Sequence, residues 1–271
     1  MKLATYKDGS RDGQLVVVAR DLTAAHYATG IASRMQQALD DWNFIAPQLQ
    51  DLYEALSGGK ARHAFPFDAA HCMAPLPRAY QRLSGTPTSG APHQRPSDAL
   101  LGAGSPISGA ASAQTLNFCP SLAAITGDVP PGATPEQGQD AIRLLTLAAG
   151  IHLSAPEEEE EESAAAFGPV AVTPDELGAA WQDTRVHLAL GVAVNARQLA
   201  PIEAGQMRWP FSHLIMQAAR LRPLTAGSII GSGPLPGPQL PSLQRGDVVR
   251  IEMKDAAGQS IFGAIEQTVQ G

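Results

Sequence analysis

Val186, Leu188, Leu190, Val192 and Val194 occupy every second position of one stretch. No other pattern constrains the fold of this chain so strongly. Successive side chains of a strand point to opposite faces, so a period of two gives one apolar face that needs neighbouring strands and a covering layer. The same demand returns at the C-terminal end. There Arg245 to Met253 and Ser260 to Ile265 flank Lys254-Asp255-Ala256-Ala257-Gly258-Gln259 and read as a β-hairpin. Leu3 to Tyr6 and Leu15 to Ala19, separated by the Asp, Ser and Gly residues of Lys7 to Gly13, read as a second hairpin. Gly227 to Gly233 reads as a strand entering a glycine turn, where backbone can approach a ligand closely.

Helical signals are fewer. Met35, Leu39, Trp42, Leu49, Leu52 and Leu56 recur at helical spacing, with Pro47 opening a second helix and Gly58-Gly59 ending it. Hairpin and helices make a small N-terminal domain over residues 1–72, and Pro66, Pro75 and Pro77 punctuate its border with a larger domain over 73–271. Thr134-Pro135-Glu136-Gln137 combines an N-cap, a proline at the first helical position and a capping-box Gln, and predicts a helix through Ile142, Leu145 and Ala149. Thr173-Pro174-Asp175-Glu176 predicts a short capped helix ending near Trp181, and Leu214, Ile215, Ala218 and Leu221 an amphipathic one that stops before Pro223. Ala123 to Asp128 and Val170 to Val172 read as strands. The sum is an α+β chain, mostly β.

Two segments fit neither period. Residues 84–113 are dominated by Gly, Pro, Ser, Thr and Ala and read as irregular. Residues 155–166 contain six consecutive carboxylates, Glu157 to Glu162. Like charges repel, so this run reads as a solvated, mobile loop, with a low-affinity cation site as the lesser alternative.

Composition narrows the function. The 271 residues are 44% hydrophobic and 17% charged, a globular balance with ample core. A net charge of −7 without a Lys/Arg cluster offers nothing to neutralise phosphate backbones, so the expected partner is a small molecule and not a nucleic acid. Cys72 and Cys119 are too few for a disulfide scaffold and too far apart for a zinc site. The N-terminal residues have no apolar leader, and no run approaches the ~18 apolar residues that span a bilayer. A cytoplasmic protein without a membrane partner is expected.

Met1 to Thr5 with Asp8 to Gly13, Met73-Ala74-Pro75-Leu76-Pro77-Arg78-Ala79-Tyr80, Ile125-Thr126-Gly127-Asp128-Val129-Pro130, Gly168 to Gly178, Ala226 to Gly233 and Gly246 to Met253 follow one another along the chain. Together they resemble the fumarylacetoacetate hydrolase family, in its bacterial two-domain form. The resemblance implies a rolled, mostly β C-terminal domain, a homodimer, and hydrolysis of a carbon–carbon bond in an acylpyruvate or other diketo acid of aromatic catabolism. It also implies Mg²⁺ or Ca²⁺ held by carboxylates and acting as Lewis acid, with a His-Glu pair preparing the attacking water.

At the positions that matter most, this sequence departs from the family. The family's Glu-x-Glu pair falls at Cys119 and Ser121, in Asn117-Phe118-Cys119-Pro120-Ser121, where Pro120 also removes a ladder donor. The next ligand falls at Gly150, and an upstream Asp falls at Ser89. The segment that would carry the His-Glu pair is replaced by Gln81 to Pro87, and the expected basic residue falls at Glu162. Gly231, Ser232 and Gly233 keep the family's carboxylate-facing turn and are the candidate substrate contacts; a tight structural turn explains the two glycines equally well. His63, His71 and Cys72 match no zinc spacing, and His93, His152, His187 and His213 read as structural or isolated. Two functions follow: a metal-dependent hydrolase whose ligands lie elsewhere, or a non-catalytic homologue, a pseudoenzyme.

Overall fold

The structure is a computed structural model, and it describes all residues except 87, 99, 109–114, 155–160, 239 and 271. Two sheets dominate it. The larger holds twelve strands. One end of it is N-terminal: Lys2–Tyr6, Gln14–Val18, Ala24–Tyr27 and Phe65–Pro66 pair in succession. Ala171–Val172 joins Lys2–Tyr6 to the two longest neighbours, Ile142–Ser154 and Thr115–Thr126. Beyond these come Ile229–Gly231, Arg82–Ser84 and His93–Arg95. The second sheet is built on Ala189–Val194, Val248–Lys254 and Ser260–Gln270.

Both faces of the large sheet are covered. Leu3, Leu15, Val17, Leu144 and Phe167 share one apolar cluster with the helices Met35–Asp40 and Trp42–Ser57. Ala4, Val16, Val18, Leu145, Leu147 and Ile151 share another with Val192, Ile251 and Phe262 of the second sheet. That double cover is why neighbouring residues of these strands are all apolar, since each face has its own core to fill.

It also overturns one expectation. The capping box at Thr134 and Gln137 is present, but the helix it opens ends at Asp140, and Ile142–Ser154 is a strand. Ile142, Leu145 and Ala149 fit a helical period only because the strand is apolar on both faces. His152 accordingly lies on this strand and not at a helix end.

Other expectations change in detail. The Trp42–Ser57 helix runs through Pro47 instead of starting there, because Ile45, Leu49, Tyr53 and Leu56 hold both halves to the sheet. Pro120 is accommodated opposite Ala149 within its strand. The alternating stretch from Val186 is two strands, Arg185–Val186 and Ala189–Val194, with His187 between them. Thr173 supplies no side-chain cap, and Pro174–Ala180 is a 3₁₀ helix.

Residues 84–113 are not simply irregular: Arg82–Ser84 pairs with Ile229–Gly231, Leu100–Leu101 with Ala165 and Ala166, and Ile107–Ser108 with Val269 and Gln270. Strands this short show no period. The acidic run is likewise only partly a loop. Its residues 157–160 lie outside the described residues, and Glu161–Phe167 is a strand paired with Ala148 to Leu153.

Candidate functional site

Cys119 and Ser121, two apart on one strand, face the same side of the sheet, and Gly150 is the register partner of Cys119. Five chain segments close over them. Arg82, Ser84, Gly85 and Thr86 come from one, Arg95 from a second, His152 and Glu162 from the strand pair beyond Gly150, and Gly233 with Pro234 from the last. They enclose a cavity of about 90 Å³. Ser89 does not line it; its amide donates to Thr86 Oγ1 and leaves it in a local turn.

Glu162 governs the electrostatics of this cavity. Its side chain is only 4% exposed, and Oε1 accepts a hydrogen bond from Arg82 Nη2. Oε2 lies 3.6 Å from Arg95 Nε and 3.9 Å from His152 Nε2. Arg82 also donates from Nη1 to the Pro96 carbonyl at 3.1 Å. Burial pulls the Arg82 pKa down and the Glu162 charge pushes it back, so the guanidinium remains charged. Arg95 Nε is buried and makes no hydrogen bond. The solvated loop expected for Glu162 is therefore corrected: two arginines give this carboxylate a reason to be inside.

These donors do not fit a hard dication. Mg²⁺ and Ca²⁺ require several converging oxygens, usually carboxylate. Cys119 offers a thiol, Ser121 one hydroxyl, His152 an imidazole and Gly150 no side chain, and the Glu162 carboxylate is engaged by the two guanidinium groups that face the same space. Among the described residues, no three His, Cys, Asp or Glu side chains converge as a metal site.

Of the three residues expected to contact substrate, only Gly233 lines the cavity. Ser232 Oγ accepts from the Leu122 amide and donates to the Gly233 carbonyl, so its hydroxyl serves the turn. Gly233 itself has φ +75°, and a Cβ there would collide with the Gly85 carbonyl oxygen. The missing side chain lets the two segments close over the cavity.

A second pocket, of about 270 Å³, adjoins the first and shares Cys119 and Pro234 with it. Phe118, Ile202, Leu235, Pro238 and Leu240 give it apolar side chains, and Asn117 and exposed backbone make the rest of its wall polar. A larger depression, about 450 Å³, lies on the second sheet, where Glu252 pairs with Arg250 and Lys254.

The remaining sequence candidates stay apart. His71 Nδ1 lies 2.8 Å from the Asp68 carboxylate, and burial pushes the neighbouring Cys72 thiol up from its usual range. His213 stacks on Trp209 with centroids 4.8 Å apart. His93 is exposed on a short strand, and His187 packs beside Gly205. Neither Arg82 nor Arg95 is suggested by a sequence motif, because the carboxylate that unites them lies 80 residues beyond Arg82.

Comparison with known proteins agrees with this architecture. Residues 1–78 match the model described as fumarylacetoacetase N-terminal domain 2, and residues 77–270 match fumarylacetoacetate (FAA) hydrolase C-terminal. No curated protein matches the chain in sequence. Among solved structures, maleylpyruvate hydrolase from Sphingobium sp. SYK-6 superposes with a TM-score of 0.77 at 18% identity, with both chains covered in full. That enzyme has also been solved with manganese(II) and pyruvate. Fumarylacetoacetate hydrolase from Exiguobacterium antarcticum gives 0.71 at 17% identity, covering 100% of this chain and 99% of that one. For 2-hydroxyhepta-2,4-diene-1,7-dioate isomerase from Mycobacterium marinum the values are 0.67 and 17%, with 100% and 98% covered. No helix among the described residues is long and apolar enough to cross a membrane. By its matched models over almost its whole length, the chain belongs to the fumarylacetoacetate hydrolase family.

Proposed function

We propose that this chain is a non-catalytic family member, a small-molecule-binding protein that neither holds a divalent cation at this cavity nor hydrolyses carbon–carbon bonds there. The buried Glu162, bound by Arg82 and Arg95 across from Cys119 and Ser121, carries the reading. In diketo-acid hydrolysis, a cation supplies the charge that stabilises the developing enolate. Here the fixed charges belong to the protein, and the one carboxylate among the described residues of the cavity is already paired with arginine. A base that could prepare water is equally hard to name: His152 lies 3.9 Å from the same carboxylate, and Gln81 to Pro87 stand where the resemblance would put a His-Glu pair. Polar groups of Arg82, Arg95 and Ser121 and the close backbone of Gly233 remain to hold and orient a ligand.

The test is an assay of the purified protein with acylpyruvates such as acetylpyruvate, in millimolar Mg²⁺, Ca²⁺ or Mn²⁺ and in EDTA. The expected result is no turnover above the uncatalysed rate under any condition. Turnover that requires the cation and disappears in EDTA would establish the hydrolase instead.

A further inference from the structure

The geometry points to a binding site for an aliphatic monocarboxylate, with its carboxylate against Arg82 and Arg95 in the small cavity and its apolar tail in the adjoining pocket. This rests on the metal-independent reading above, since a cation in the cavity would take the ligand's carboxylate for itself.

Charge balance sets the head group. Among the described residues lining the cavity, two guanidinium groups face one carboxylate, an excess of positive charge. A monoanion balances it, and an uncharged head leaves the arginines undercompensated in a space where Arg82 is only 6% exposed. The buried Nε of Arg95, 3.6 Å from Glu162 and without a hydrogen bond, is a donor suited to an incoming carboxylate oxygen. At about 90 Å³, the cavity has room for a carboxylate and little more.

Pocket shape sets the tail. The second pocket opens beside Cys119 and Pro234, which line both spaces, so a ligand anchored at the arginines continues directly into it, along the apolar side chains of one wall. Its volume of about 270 Å³, walled by Phe118, Ile202 and Leu235, accepts an unbranched chain of several carbons.

Isothermal titration calorimetry in EDTA, with acetate, butyrate, hexanoate and hexanamide as probes, tests this directly. Hexanoate is expected to bind, with affinity falling about fourfold for each buried methylene removed. Hexanamide, equal in shape but uncharged, is expected to bind at least about tenfold more weakly, and Arg95→Gln to weaken hexanoate about tenfold. Equal binding of hexanoate and hexanamide would overturn the inference by making the site merely apolar. Binding of none of the probes, with or without cations, would overturn it and leave the metal-independent reading standing. Hexanoate binding that appears only with added Mg²⁺ or Mn²⁺ would overturn both.

Discussion

Glu162 and Arg82 meet across 80 residues of sequence, and both side chains are more than nine-tenths buried. Their pair joins the strand Glu161–Phe167 to the strand Arg82–Ser84 across the candidate cavity. Removing one partner of a buried pair leaves the other charge uncompensated, which costs ~3–5 kcal/mol. Glu162→Gln should therefore destabilise the protein by about that much in urea unfolding. The double variant Arg82→Met, Glu162→Leu should recover most of the loss, because the apolar pair has no charge to desolvate. A Glu162→Gln protein as stable as the parent would show that the pair does not hold these strands together.

Divalent cations should leave stability unchanged. A cation that binds only the folded state, at a hundredfold excess over its Kd, adds ~2.7 kcal/mol and raises Tm by several degrees. With Cys119, Ser121 and Gly150 where carboxylates would be needed, thermal unfolding in millimolar Mg²⁺, Ca²⁺ or Mn²⁺ should coincide with unfolding in EDTA.

Cysteine reactivity separates the cavity from the core. Cys72 is 1% exposed, and burial pushes its thiol well above the usual range, so it should resist modification in the native state. Cys119 lines both pockets and is half-buried. Titration of the native protein with a disulfide reagent should label one thiol, a count that Cys119→Ser abolishes and Cys72→Ser preserves.

Much of this fold is legible in the sequence where one signal is strong and local. The terminal hairpin around Gly258, the N-terminal hairpin and the Thr134 capping box all appear as read. Ile142–Ser154 carries a helical period in the sequence because a strand with two covered faces has no alternation to betray it. Of the four positions that the resemblance singles out, Cys119, Ser121 and Gly150 line one cavity and Ser89 does not. The chemistry around Glu162 is hidden for a different reason: Glu162 is the last of six identical residues, and nothing in such a run marks one of them for burial. Arg82 and Arg95 acquire meaning only beside it.

Acid should weaken the ties around the N-terminal turn. Asp12 accepts two hydrogen bonds from Arg78, at 2.8 and 2.6 Å, and these hold its carboxyl below the usual range. Ser10 and then Arg34 do the same for Asp8. A carboxylate with a depressed folded pKa binds fewer protons folded than unfolded, so its contribution is present at neutral pH and fades as pH falls below about 4. Asp12→Asn should lower Tm slightly at pH 7, and its curve should converge with the parent's toward pH 3.

Gly233 makes the sharpest local test, because its two demands can be measured separately. Its φ of +75° costs an L-residue ~1–2 kcal/mol. A Cβ would also meet the Gly85 carbonyl, a backbone atom that cannot rotate aside. Gly85 is itself tied down, its amide donating to the Gly231 carbonyl at 3.0 Å, so any retreat would loosen the Arg82–Ser84 strand and shift Arg82. Gly9 provides the control: its φ is +84°, but nothing lies within 4 Å of an added Cβ. Gly9→Ala should cost only the ~1–2 kcal/mol of conformation. Gly233→Ala should cost clearly more in urea unfolding and should weaken hexanoate binding, which Gly9→Ala leaves alone. Equal losses from the two substitutions would mean that the close approach of Gly233 to Gly85 is not what closes the cavity.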